Sequence, residues 1–190
     1  MGKGAMALPG MTCRAESGGS RGLKIRKNLI NLLFILFLTA ADQFTKRLAV
    51  GALKGSENIV LIKGILELEY FENFGAAFNS LVGKRILLIL MTVLLSAFLI
   101  WKLFRLPDKK RYTGMRVCLC LAAGGALGNL LDRIARGYVV DFIYFTPINF
   151  PKFNFADICV TGGVIALGVL LMFYYRDEEV DFLLSFRGKG

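Results

Sequence analysis

Asp141 and Asp157 are the residues of this chain best placed to do chemistry. Sixteen positions separate them. Asp141 follows an apolar stretch that ends near Ala135, and Asp157 opens the next one at Ile158. If both stretches cross a membrane, the two carboxylates lie on one side of it, at about the same depth. Two aspartates in a partly desolvated site can share one proton. One then takes a proton from water while the other gives one to a carbonyl or a leaving amine. A lone aspartate at a span edge is otherwise a solvated cap, and Asp157 suits the N-cap position of the helix that follows.

The rest of the inventory narrows the chemistry. The 190 residues include no histidine, which removes Ser-His triads, Cys-His dyads and His-ligated zinc. The four cysteines, Cys13, Cys118, Cys120 and Cys159, have neither the number nor the context of a disulfide framework. Three of them sit in apolar runs and read as buried structural thiols. No metal ligand set and no organic cofactor is expected.

Polar groups inside apolar runs are costly and therefore informative. Asp42 lies deep in the first run with Lys46 one turn later, on the same helix face. The pair reads either as a structural anchor or as a supporting carboxylate beneath a site. In the third run Gly125, Asn129 and Arg133 recur every four residues, so an amide and a guanidinium share one stripe. Gly124 and Gly128 form a small-xxx-small pattern that permits close helix packing. Asp132 can reach Arg136 at i+4. Asn73 and Gly75 belong to a short segment in which glycine permits a bend.

Four apolar runs must carry these groups: Asn28 to about Val50, Ile86–Phe104, Val117–Ala135 and Ile158–Tyr175. Each is long enough to cross a hydrocarbon core of about 30 Å as a helix. With 55% hydrophobic residues gathered this way, neither a soluble globule nor a disordered chain fits. A basic flank and an apolar start also give the first run the look of a cleaved signal peptide, but its helical pattern continues to Val50. Two intervening segments read as strands: Ile65–Tyr70 alternates, and Tyr138–Phe145 is β-branched and aromatic. The expected fold is thus an α-helical integral membrane protein of four transmembrane helices, with a small extracytoplasmic β-sheet resting on the outer leaflet. Residues 1–22 read as a disordered leader or a foreign remnant, 23–176 as a single domain, and 177–190 as a cytoplasmic tail.

Loop charge sets the orientation. Segment 102–116 holds six basic residues and one acid, whereas 51–84 and 137–157 hold no excess of basic residues. By the positive-inside rule the basic loop and both termini face the cytoplasm, and Asp141 and Asp157 face outward. The net charge of +10 follows this pattern and does not point to nucleic acid.

Five motifs in order, Asp42-x-x-x-Lys46, Asn73-x-Gly-Ala-Ala-Phe78, Gly124-Gly-x-x-Gly-Asn129-x-x-Asp132-Arg133, Val139-Val-Asp-Phe142 and Phe153-Asn-x-Ala-Asp157, resemble those of the lipoprotein signal peptidases, or signal peptidase II, from about Asn28 to Tyr175. The resemblance implies a bacterial inner-membrane aspartyl peptidase with Asp141 and Asp157 as its dyad. It implies that Asn73, Asn129, Arg133 and Asn154 line the site, with Gly75, Asp42, Lys46 and Asp132 supporting. The implied substrate is a prolipoprotein cut just before its diacylglyceryl-modified lipobox cysteine, its acyl chains remaining in membrane lipid; one complete set of site groups in a 21.0 kDa chain fits a monomer. The rival reading, a small proton-coupled transporter, asks for ionisable groups spread across the whole membrane depth. Here only Asp42 and Lys46 lie deep.

Overall fold

A computed structural model of the chain describes residues 15–75, 83–176 and 179. Four helices are long and apolar enough to cross a membrane. They are α1 (Ala15–Leu53), α2 (Arg85–Arg105), α3 (Thr113–Ala135) and α4 (Phe155–Phe173). Between α1 and α2 lie strands β1 (Ile59–Ile62) and β2 (Leu66–Asn73), and between α3 and α4 lies β3 (Val139–Phe145).

Helix α1 begins at Ala15, inside the stretch 1–22 expected to be irregular. Residues 15–22 are a helical extension of the first span, despite Gly18 and Gly19. Extending an existing helix gains a bond per residue fixed, whereas nucleation bears the main cost. Residues 1–14, with Cys13, lie outside the described residues, as do Ala76, Ala77, Phe78 and nearly all of the acidic tail.

Helix α3 is the hub. Its span is 72% buried against 17–28% for the other three, and it packs on all of them. Glycine makes this possible. A Cβ on Gly124 would press on Leu38 and Ile35 of α1, and one on Gly125 would strike the Ala156 carbonyl at the head of α4. The half of the bundle nearer the 102–116 loop has an apolar core built around Ile35, Leu103, Met115, Leu119 and Ala123. Cys118, Cys120 and Cys159 are buried free thiols, as expected of apolar runs. Toward the basic loop, Lys27 of α1 pairs with Asp108, and the Arg116 guanidinium donates to the carbonyls of Leu106 (3.2 Å) and Pro107 (2.8 Å) at the end of α2.

The strands form one antiparallel sheet in the order β1-β2-β3. Lys63–Ile65 turns β1 into β2, with Gly64 at φ +71° supplying the left-handed residue. β1 is Ile-Val-Leu-Ile, exposed on both faces. It has no alternation, so periodicity does not reveal it.

Register matters most between β2 and β3. Leu68 pairs with Ile143, yet Phe71 pairs with Asp141, so β2 carries one extra residue between them, a bulge. Paired residues of antiparallel strands share a face. Past the bulge, Phe71 and Asn73 therefore lie on the Asp141 side of the sheet. Without it Asn73 would point the other way.

Candidate active site

Strand β3 delivers Asp141 to the interior, 1% exposed. Its Oδ2 accepts from Asn73 Nδ2 at 2.9 Å and its Oδ1 from Asn154 Nδ2 at 2.6 Å. The Asn73 amide is held in that orientation because its Oδ1 accepts from the Gly75 backbone N–H at 2.9 Å.

Helix α4 delivers Asp157 in its first turn. The N-cap is Asn154, not Asp157, which corrects the sequence expectation. Asn154 Oδ1 accepts from the Asp157 N–H at 3.0 Å, and Asp157 Oδ2 accepts from the Asn154 N–H at 3.1 Å, a reciprocal capping box. The other Asp157 oxygen accepts from Asn129 Nδ2 at 2.8 Å. Asn154 thus touches both carboxylates, one through its side chain and one through its backbone.

The direct side-chain donors to these carboxylates are neutral amides. An amide favours the ionised form only modestly and adds no charge. Burial, followed by the negative charge of Asp157, pushes the Asp141 carboxyl up to about 7, against smaller opposing effects of the Asn73 and Asn154 amides and the Lys46 charge.

Beneath the pair lies a buried ionic cluster. Lys46, fully buried, pairs with Asp42 Oδ2 at 2.8 Å and Asp132 Oδ2 at 3.0 Å, and donates to Asn129 Oδ1 at 2.8 Å. Asp42 also accepts from the Ala156 N–H at 3.0 Å, fastening α1 to the head of α4. Asp132 does meet Arg136, at 3.4 Å, but it is no mere surface pair. It is 1% exposed, bonds Lys46, and accepts from the Val140 N–H at 3.2 Å. Gln43, which sequence reasoning missed, donates to the Gly128 carbonyl at 3.1 Å and to Asp132 Oδ1 at 3.3 Å. Its signal was a second polar side chain beside Asp42 within an apolar run.

A cavity of about 760 Å³ opens beside the carboxylates. Asn73, Asn129, Arg133, Asp141 and Asp157 line its polar side, and Phe150 and Ile165 belong to its apolar side. Asp42, Lys46 and Asp132 do not reach it. Arg133 donates to the Gly75 carbonyl at 3.3 Å, while its buried Nε has no partner among the described residues. Arg85, also missed, holds the end of α3 by donating to the Arg133 (3.0 Å) and Ile134 (2.9 Å) carbonyls.

Four apolar helices with buried carboxylates gathered at one end beside a half-apolar cavity define a multi-pass membrane enzyme. Two solved structures described as a bacterial membrane enzyme, determined in meso at 2.3 Å and 1.9 Å, share this fold. They give TM-scores of 0.68 and 0.66, each at 32% identity, covering 75% and 77% of this chain and 87% and 94% of theirs. The chain belongs to the signal peptidase II family, a family of peptidases: the profile described as Signal peptidase (SPase) II matches residues 34–173. It is 41% identical over 143 residues to the lipoprotein signal peptidase of Caldanaerobacter subterraneus subsp. tengcongensis, covering 75% of this chain and 95% of that one. To that of Clostridium novyi it is 38% identical over 146 residues, covering 75% and 97%.

Proposed function

We propose that this peptidase removes signal peptides from prolipoproteins, cutting just before the diacylglyceryl-modified cysteine of the lipobox, with Asp141 and Asp157 as its catalytic pair. The observation that carries the reading is the Asn154 bridge. One residue donates to Asp141 through its amide and to Asp157 through its backbone, fixing two carboxylates beside a cavity lined by both polar and apolar side chains.

The pair works with one proton shared between its two carboxylates. The ionised carboxylate draws a proton from a water in the cavity, and the water oxygen attacks the scissile carbonyl. The protonated partner stabilises the resulting oxyanion by donation and then protonates the leaving amine. Asn73, Asn129 and Asn154 orient the carboxylates, and Arg133, which lines the cavity, is placed to donate to the substrate backbone. The apolar side of the cavity suits acyl chains that stay in lipid, so the substrate enters sideways from the bilayer. The basic loop at 102–116 supports an orientation with both termini in the cytoplasm of a bacterial inner membrane and the site near the outer face. Residues 23–176 form the working unit, and one chain carries the complete set of groups, so it acts as a monomer.

The test is turnover of a diacylglyceryl-modified lipobox peptide in detergent by Asp141→Asn and Asp157→Asn, with thermal unfolding as the folding control. Each near-isosteric amide abolishes turnover, and the double variant is no worse than either single one. Wild-type turnover by either variant at matched stability refutes the aspartyl mechanism. Equal turnover of an unlipidated peptide refutes the substrate.

A further inference from the structure

Three buried groups converge on Lys46, and their number equals the number of protons on its ammonium. Asp42, Asp132 and Asn129 accept at 2.8, 3.0 and 2.8 Å from a side chain with no exposure. A lysine ammonium has three donors and no acceptor. The Asn129 atom facing it must therefore be the carbonyl oxygen, which turns Nδ2 toward Asp157 at 2.8 Å. The same Asn129 oxygen accepts from Asn154 Nδ2 at 3.2 Å, and that amide's other hydrogen goes to Asp141 at 2.6 Å. A flipped Asn129 would set its NH2 against an ammonium and a second NH2, and its oxygen against a carboxylate.

We infer that Lys46 is a positioning residue of the active site: its ammonium fixes the direction of the Asn129 amide, and through the shared Asn129 oxygen that of Asn154, so that each presents N–H to a catalytic carboxylate. Lys46 touches neither the cavity nor the two carboxylates. It acts through amides that could otherwise turn either way. The inference rests on the catalytic pair proposed above.

The charged groups around this network are Asp42 and Lys46 on α1, Asp132, Arg133 and Arg136 on α3, Asp141 on β3 and Asp157 on α4. Removing Lys46 alone would strand two buried carboxylates, so the test is the charge-balanced Asp42→Asn/Lys46→Met double variant. The amide introduced at position 42 keeps an oxygen for the Ala156 N–H, and Asp132 keeps Arg136. In the full chain in detergent, kcat on the diacylglyceryl peptide should fall about 10- to 100-fold, as expected when a hydrogen bond to a charged group is lost. KM should stay within about twofold because neither residue meets substrate. The alkaline limb of the pH profile should move up, because both the Lys46 charge and the ordered Asn154 amide hold the Asp141 carboxyl down. A purely structural anchor would lower the melting temperature and leave kcat at the pH optimum unchanged, whereas the limb would move with the lost Lys46 charge in either case. Wild-type kcat, or a loss of kcat with an unmoved limb, overturns the inference.

Should the double variant fail to fold, Asn129→Asp decides. It keeps an acceptor for Lys46 but offers Asp157 a donor only when protonated, so its pH optimum should move acid. An unmoved optimum overturns the inference. Asp157→Asn is measured alongside: turnover there defeats the catalytic pair and the inference together, whereas a dead Asp157→Asn beside a normal double variant defeats the Lys46 role alone.

Discussion

Asn154 performs two jobs that a single substitution separates. Its oxygen caps α4 at 3.0 Å, and its NH2 reaches Asp141 at 2.6 Å and Asn129 at 3.2 Å. Serine keeps a capping oxygen but is too short to bridge to the carboxylate, whereas alanine loses both. The cap is worth about 1 kcal/mol, so Asn154→Ala should be less stable than Asn154→Ser by about that amount. The lost bridge is the same in both variants. A hydrogen bond to a charged group is worth about 1.5–3 kcal/mol. If the bond acts in the transition state, kcat falls about 10- to 100-fold in either variant. Loss of a donor that favours the ionised form also lets Asp141 keep its proton to higher pH, so the alkaline limb moves up. The assay is turnover of the lipidated peptide against pH, with thermal unfolding in the same detergent. The reasoning is refuted if Asn154→Ser retains wild-type kcat and pH profile, since the bridge would then be ornamental.

Other outcomes follow from the same geometry. Turnover should fall as pH rises through about 7, where Asp141 loses the shared proton, and Asp157→Asn should move the Asp141 value down by removing the neighbouring negative charge, as read by carboxyl infrared bands. Stability should decline with rising pH between about 4, where an unfolded aspartate ionises, and about 7. In that window the unfolded chain binds fewer protons than the folded one. Gly128→Ala should destabilise by about 1–3 kcal/mol in thermal unfolding, because its Cβ would meet the Asp42 carboxylate, while Gly168→Ala, which faces open space, should not destabilise. A cysteine placed at Lys109 should react with an impermeant thiol reagent only from the cytoplasmic side, and labelling from outside would invert the orientation.

What was legible in the sequence was whatever lipid enforces. Hydrocarbon demands long apolar helices, so the four spans stand out, and it penalises polar groups, so Asp42, Lys46, Asn129 and Arg133 announce themselves. The period of two marked β2, and β-branched and aromatic residues marked β3, whereas the uniformly apolar β1 had no period to find. Harder to see were features that exist only once distant segments meet. Asn154 as the cap needs the true start of α4, three residues before the apolar run expected at Ile158. Arg85 reads as a charge flanking a span until its guanidinium is seen on the end of α3. Asp132 had an obvious local partner in Arg136, and the local pair concealed the longer-range one with Lys46.

The bulge in β2 has the arithmetic of a parity switch. Side chains in a strand alternate, so whether Asn73 meets Asp141 depends on an odd or even count of residues from the point where β2 first joins β3. Losing one residue between Leu68 and Phe71 would send Asn73 to the far side of the sheet while leaving Asp141, Asp157 and Asn73 itself in the sequence. Losing or gaining two would restore its side at a shifted depth. The hairpin turn at Lys63–Ile65 lies before this counting begins, so its length can drift without touching the site. Variation in chain length should thus be tolerated on the β1 side of the sheet and come only in even steps beyond it.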